Sequence, residues 1–227
     1  MCAFLSKIDK QLIADMPSLT FEGELHVVCT SAEAKDAVDF LLSHAVVGID
    51  TETRPAFKKG VSYPVALLQV STLSRCYLFR LNMMDSYDEV KRLFESETTQ
   101  KVGLSIHDDL RALKGRVKNM QPVNCVDVQK MVNDYGIFEL SLQKIFAIVF
   151  GHKISKSQRL TNWELEHLTM AQQQYAATDA WATLLLHQQL VRSPKISEQE
   201  KQQIQQELAL IEEERINAQR ERKENQA

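Results

Sequence analysis

The sequence predicts an α/β fold: a mixed sheet of five to six strands, its leading portion antiparallel, flanked by helices. Three observations carry this. Short runs rich in β-branched and aromatic side chains recur at residues 26–30, 45–52, 64–72, 76–81, 102–106 and 124–128. The first four runs follow one another closely, whereas from Asp85 onward strands alternate with helical patterns. After Val128 the periodicity is helical almost to the end.

The elements follow in order. Residues 1–25 read as an N-terminal extension, 26–193 as the folded domain and 194–227 as a charged helical tail. In the extension, Lys7, Asp9 and Lys10 interrupt any signal-peptide core. Between the first two strands, Ser31–His44 reads as a helix, with Ser31 as N-cap and Ala34, Ala37, Val38, Leu41 and Leu42 as its apolar face. Pro64 can open the third strand without costing an interior ladder bond. Leu73-Ser74-Arg75 is short enough to make the third and fourth strands an antiparallel hairpin. Tyr87–Phe94 is amphipathic, and Asp108–Leu113 opens another helix after the fifth strand. Ser141–Phe150 carries Leu142, Ile145, Phe146 and Val149 at helical spacing, with Gly151 placed as its stop. Thr169 and Gln172 have capping-box spacing ahead of a long helix reaching Arg192. Beyond Pro194, Ile204, Leu208 and Ile211 form a narrow stripe. That stripe reads as a solvated helix lying lightly on the domain or as a short dimerising coil; it fails at Arg215, too few heptads for a coil, and the sequence assigns no oligomeric state, a monomer being compatible with it.

Composition narrows the function classes. The 227 residues, 44% apolar and 25% charged, suit one domain with an appendage and exclude wholesale disorder. Apolar runs such as Ile145–Phe150 are far too short to span a bilayer, so no membrane partner is expected and the protein is placed inside the cell, in the cytoplasm. A formal net charge of −3 argues against indiscriminate polyanion binding but leaves room for a local basic rim. Cys2, Cys29, Cys76 and Cys125 are scattered, with no CxxC pair, and read as buried reduced thiols.

The acidic residues carry the chemistry. Val46-Val47-Gly48-Ile49-Asp50-Thr51-Glu52 is an apolar strand ending in two acids two residues apart, which project to one face. Their repulsion is relieved by a hard divalent cation, although a D-x-E at a strand end also suits a solvated loop start. Asp108 and Asp109 sit at a strand-to-helix junction, where one can cap the helix and the other stay free as a ligand. Asp109 is the expected ligand. Tyr175 and Asp179 are four apart on one helical face, among alanines that let the helix approach a sheet. That acid is expensive to bury unpaired, and a half-buried Tyr bonded to its own helix is the structural alternative.

Taken together, D-x-E on a strand, D at a later strand–helix junction and Y-x-x-x-D on a late helix resemble the DEDD (DnaQ-like) exonucleases. Within them, the chain is similar to the Tyr-bearing ribonuclease D and Werner-type branch. The resemblance runs from about Val46 to Leu190 and is closest in Ser141–Gly151, in Lys156-Ser157-Gln158-Arg159-Leu160-Thr161-Asn162-Trp163-Glu164 and in Leu168 through Tyr175-Ala176-Ala177-Thr178-Asp179-Ala180. The strand Ala66–Thr72 matches as well. Thr161 departs from the Ser common in the family, and neither a P-loop nor the helical domains appended to ribonuclease D are recognisable.

The resemblance implies an RNase H-like fold and a 3′-5′ exonuclease that removes nucleoside monophosphates from single-stranded or 3′-ended DNA or RNA. It implies that Asp50, Glu52, Asp109 and Asp179 hold two divalent cations, Mg²⁺ or Mn²⁺. One would activate a water that Tyr175 holds in line, and the other would stabilise the departing 3′ oxygen. Candidate strand contacts are Thr53, His107, Lys114, Arg116, Lys156 and Arg159, the basic ones in two clusters flanking the motifs. Trp163 is expected in the core. The alternative function is a catalytically inactive nucleic-acid-binding protein on the same fold.

Overall fold

The structure, a computed structural model, describes residues 4–224, with side chains described as far as residue 218; Cys2 lies outside the described residues. A short helix α1 (Lys10–Ala14) precedes strand β1 (Glu24–Val28) and helix α2 (Ser31–Leu42). Then come β2 (Val46–Thr53), β3 (Val65–Ser71) and β4 (Arg75–Arg80). They are followed by α3 (Asp88–Phe94), β5 (Gln100–Gly103), α4 (Ile106–Lys114) and β6 (Cys125–Asp127). The remainder is helical: α5 (Val128–Met131), running into a 3-10 turn at Val132–Tyr135, then α6 (Leu142–Phe150), α7 (Met170–Arg192) and α8 (Glu198–Glu224).

The six strands form one sheet in the order β1-β4-β3-β2-β5-β6. β2, β3 and β4 pair antiparallel, while β1 joins β4, β5 joins β2 and β6 joins β5 in parallel. β3 is buried along its whole length, as its unbroken Val-Ala-Leu-Leu run requires of a strand covered on both faces. One face carries the core of α2, α3 and α4, with Leu68, Val70 and Phe79 beneath them. The other face is covered by α6 and α7, over Val102, Leu67 and Leu78. α7 is buried on most of its sides, polar residues such as Gln172, Thr183 and His187 included, because it is sandwiched: Ala176, Ala177, Ala180 and Leu186 are fully buried.

Sequence and structure differ at a few boundaries. Thr30, not Ser31, caps α2: its hydroxyl accepts from the Glu33 N–H while Glu33 answers the Thr30 N–H at 3.0 Å. The capping box needs the acid three residues beyond the cap, and only Thr30 has it. The fifth strand ends at Gly103 and α4 begins at Ile106 rather than Asp108, because Ser105 turns the chain in the left-handed region at φ 58°. Cys76 is buried, but Cys29 and Cys125 are only half-buried; all three are free thiols. The capping box of Thr169 and Gln172 and the Gly151 stop, at φ 66°, are present as expected.

The segment before β1 packs onto the domain. Ile8 and Ile13 lie against Ala147 of α6, Phe21 is buried beside Trp181 at a ring distance of 6.0 Å, and the Phe21 N–H donates to the Thr178 hydroxyl at 3.1 Å. α8 is held more lightly, through Lys195 and Lys201 on Asp134, each at 3.0 Å. Ile204 and Leu208 are half-buried and Ile211 is exposed. Among the described residues, no helix is long and apolar enough to cross a membrane.

Candidate active site

Asp50 and Glu52 project from the same face of β2 as Gly48, the face that α7 covers. Gly48 matters here because a Cβ on it would lie 2.0 Å from the carbonyl oxygen of Ala180. With no side chain at 48 and alanines on the helix, the backbone of α7 settles directly on β2. Asp179, next to that Ala180, is thereby brought to Asp50. Carboxylate oxygens of Asp50, Glu52 and Asp179 all lie within 4.8 Å of one another.

Asp109 arrives from the other side of β2. β5 pairs with β2 only as far as Ile49, so at the level of Asp50 the neighbouring chain has already turned into α4. The turn is tied by Asp127 at the end of β6, whose carboxylate accepts from the Ser105 N–H at 2.9 Å and the Gln129 N–H at 3.0 Å. From there, Asp109 accepts a 2.5 Å hydrogen bond from the Thr51 hydroxyl. Asp108 instead points to solvent and pairs with Arg111 at 3.0 Å.

Tyr175, one turn before Asp179 and on the same face of α7, completes the constellation. Its ring lies 6.0 Å from that of Trp163, which is fully buried and shows no exposed face for a base. Asp50, Tyr175 and Asp179 line a cavity of about 280 Å³ together with Lys156 and Arg159. His107 and Lys114 are exposed and outside that lining, and Thr53 is exposed at a β-bulge. Arg116 is engaged within the fold: its Nε donates to the Val65 carbonyl and its Nη1 to the Tyr87 hydroxyl at 3.4 Å.

The electrostatics follow from crowding. Burial raises the Asp50 pKa, and the Asp179 carboxylate raises it further. Glu52 is pushed up by burial, then by Asp50, Asp179 and Asp109, with Arg159 opposing. Asp109 is raised by burial and by Asp50 against the Thr51 hydrogen bond. Burial raises Asp179, while Tyr175 and Lys156 pull it back. Burial, then the neighbouring Asp179 and Glu52, raise the Tyr175 phenol, so it stays protonated at any physiological pH. Four like groups gathered in a poorly hydrated place are a strain on the bare fold. Hard oxygen-liganded cations relieve this kind of strain, and the donor set fits a divalent metal.

Two residues went unnoticed in the sequence. Asp127 reads as the end of a short strand, and its part in fixing the Ser105 turn shows only in three dimensions. Gln69 lies directly opposite Asp50 on β3, fully buried, and neither end of its amide has a protein partner. A buried glutamine in an otherwise apolar strand was the available signal.

Against known proteins, the profile of the 3′-5′ exonuclease family matches residues 25–193. The chain belongs to that family. Its branch is the ribonuclease D and Werner-type group of DEDD exonucleases. The chain is 31% identical over 199 residues to the bifunctional 3′-5′ exonuclease/ATP-dependent helicase WRN of Mus musculus, covering 81% of this chain and 14% of that protein. It is 31% identical over 159 residues to a 3′-5′ exonuclease of Arabidopsis thaliana, covering 66% of this chain and 54% of the relative. The exonuclease family chain thus spans about half or less of these relatives' length. Among solved structures, the EXO domain of Aedes aegypti Nibbler superposes with a TM-score of 0.70 at 17% identity, over 77% of this chain and 92% of that one. Ribonuclease D of Escherichia coli superposes at 0.66 with 18% identity, over 85% and 50%. These likenesses show the RNase H-like fold.

Proposed function

We propose that the chain is a metal-dependent 3′-5′ exonuclease that removes nucleoside monophosphates from the 3′ end of DNA or RNA. The observation that carries this reading is the convergence of Asp50, Glu52 and Asp179 within 4.8 Å, from a strand and a helix far apart in sequence. In this reading Asp50, Glu52, Asp109 and Asp179 hold two divalent cations, Mg²⁺ or Mn²⁺. When bound, such ions supply water activation and stabilisation of the departing oxygen.

The chain's own residues do the rest. Tyr175, kept protonated by its surroundings, donates and accepts hydrogen bonds without acting as a base, and so orients the attacking water. Lys156 and Arg159, at the cavity wall, bind the phosphate of the terminal nucleotide. Trp163 braces Tyr175 from below. A ribonuclease D of Trypanosoma brucei whose structure holds RNA U12 shares the fold at a TM-score of 0.66, which supports a nucleic acid as the substrate class.

The test is incubation of end-labelled single-stranded DNA and RNA with the protein and Mg²⁺ or Mn²⁺. A ladder shortening from the 3′ end, with mononucleotide product, is expected. Internal fragments would indicate an endonuclease, and absence of cleavage with both metals on both polymers would overturn the reading.

A further inference from the structure

A second, larger hollow opens beside the carboxylate cavity. It has a volume of about 1320 Å³ and shares Ser141, Gln143 and Lys156 with that cavity, so the two adjoin. Its floor is α6 and the residues just before it. Its walls come from two segments outside the family-matched residues 25–193: residues 7–14 of the N-terminal segment, and Arg215 of α8. The N-terminal wall is fixed in place. The Phe138 N–H donates to the Ser6 carbonyl at 2.8 Å, the Ile8 N–H to the Glu139 carboxylate at 3.2 Å, and the Leu19 N–H to the Lys153 carbonyl at 2.9 Å.

The lining is basic. Lys7, Lys10, Lys144, Lys153, Lys156 and Arg215 face it. Its acids are already engaged: Glu139 takes Lys144 at 2.8 Å, and Asp9 caps α1 through the Gln11 N–H at 2.8 Å. Lys153 spends its ammonium on the Ala14 carbonyl. Lys7 and Lys10 are exposed, with no ion pair among the described residues, and Lys10, Lys144 and Arg159 all press on the charge of Lys156. Arg215 is shared with Glu212 at 3.6 Å, so the uncompensated charge lies on Lys7 and Lys10, and cations gathered along one channel favour an extended anion. The volume exceeds the roughly 300–1,000 Å³ of small-molecule sites, which suits a polymer better than a metabolite.

We infer that this groove carries the sugar–phosphate backbone of the substrate strand on the 5′ side of the reacting end, gripped by Lys7, Lys10 and Arg215. The inference rests on the proposed exonuclease reading. In an exonuclease of this polarity the 3′ terminus stops at the carboxylates, so any part of the substrate leaving that cavity lies 5′ of the scissile bond. The N-terminal segment and α8 are then parts of the substrate path, adding length-dependent affinity that the family core by itself lacks.

The experiment compares the wild-type chain with Lys7→Gln/Lys10→Gln, with Lys7→Arg/Lys10→Arg and with Arg215→Gln. Binding of a fluorescein-labelled long single strand is measured by anisotropy across a salt series, and KM is measured for that strand and for a dinucleotide. The Gln pair is expected to bind the long strand roughly tenfold more weakly, with the slope of log K against log salt reduced by about 1.4, since each single-strand phosphate contributes about 0.7. Arg215→Gln is expected to reduce that slope by about 0.7. The Arg pair restores wild-type binding. KM rises for the long strand more than for the dinucleotide, because the dinucleotide does not reach the groove. An unchanged salt slope in the Gln pair, or equal loss on long and short substrates, overturns the inference even if the enzyme is active. A wild type that cleaves nothing overturns the exonuclease reading instead, and the anisotropy series then still decides whether the groove binds the strand.

Discussion

Ionising Asp50 opposes folding, because its carboxylate is poorly hydrated and sits against that of Asp179. Asp50→Asn removes that charge while keeping the shape. The variant is expected to lose detectable exonuclease activity and, without added metal, to be more stable than wild type by at least about 1 kcal/mol at neutral pH, since a rise of a single pKa unit already corresponds to 1.36 kcal/mol. Thermal melting and the cleavage assay check both halves. An unfolded variant would mean that the carboxylate holds the fold together. Asp50, Glu52, Tyr175 and Asp179 were legible as letters because period-2 and period-3.6 spacing put each pair on one face. The choice between Asp108 and Asp109 was not legible in the same way. Adjacent residues on a helix differ by about a hundred degrees, and which one meets Thr51 depends on where the turn at Ser105 aims α4.

At the scale of elements, the site depends on how closely α7 lies on β2 and how firmly α4 is launched. Gly48→Ala places a methyl group against the Ala180 carbonyl, so the helix must lift. The expected cost is about 3 kcal/mol of stability, at the upper end for overpacking, with a loss of cleavage at least as large as the stability change alone would give. A variant with wild-type melting and activity would show that the close approach is dispensable. Asp127→Ala leaves the N–H groups of Ser105 and Gln129 without their acceptor. Destabilisation of about 2 kcal/mol is expected, together with a fall in kcat, because Asp109 loses its fixed start; Asp127→Asn, which keeps one acceptor oxygen, should recover part of both. All six strands could be read from their β-branched runs, and the hairpin of β3 and β4 from its short connection. The parallel addition of β1 to β4 could not, since the sheet edge a strand joins is set by packing between distant segments.

Over the whole molecule, the buried carboxyls set the pH dependence. Their native pKa values lie above those of the unfolded chain, so from roughly pH 4 upward the unfolded state has released protons that the native state retains. Fewer protons bound in the unfolded state means that stability falls as pH rises. The exposed pairs that lower Asp39 and Asp134 act below that window and do not reverse the sign within it. Melting temperature in the presence of a chelator is therefore expected to drop between about pH 5 and about pH 8. Added Mg²⁺ or Mn²⁺ should recover it most at the higher pH, where the carboxylates are free to bind. A midpoint that climbs over this range in chelator would show that the acids are not buried as described.

The sequence by itself determined the six strands, the longer helices with the Thr169 cap and the Gly151 stop, and the acids and tyrosine whose order resembles the DEDD family. Those features are local, written in repeats of two and 3.6 residues and in turn chemistry that neighbouring residues settle among themselves. Only the tertiary structure decided that Gly48 lets α7 bring Asp179 to Asp50, that Arg116 is spent on Val65 and Tyr87, and that the N-terminal segment and α8 wall a basic groove beside the site. Each of these is a meeting of residues far apart along the chain. Such meetings are set by strand order, register and the depth to which one element sinks into another, which no local pattern encodes.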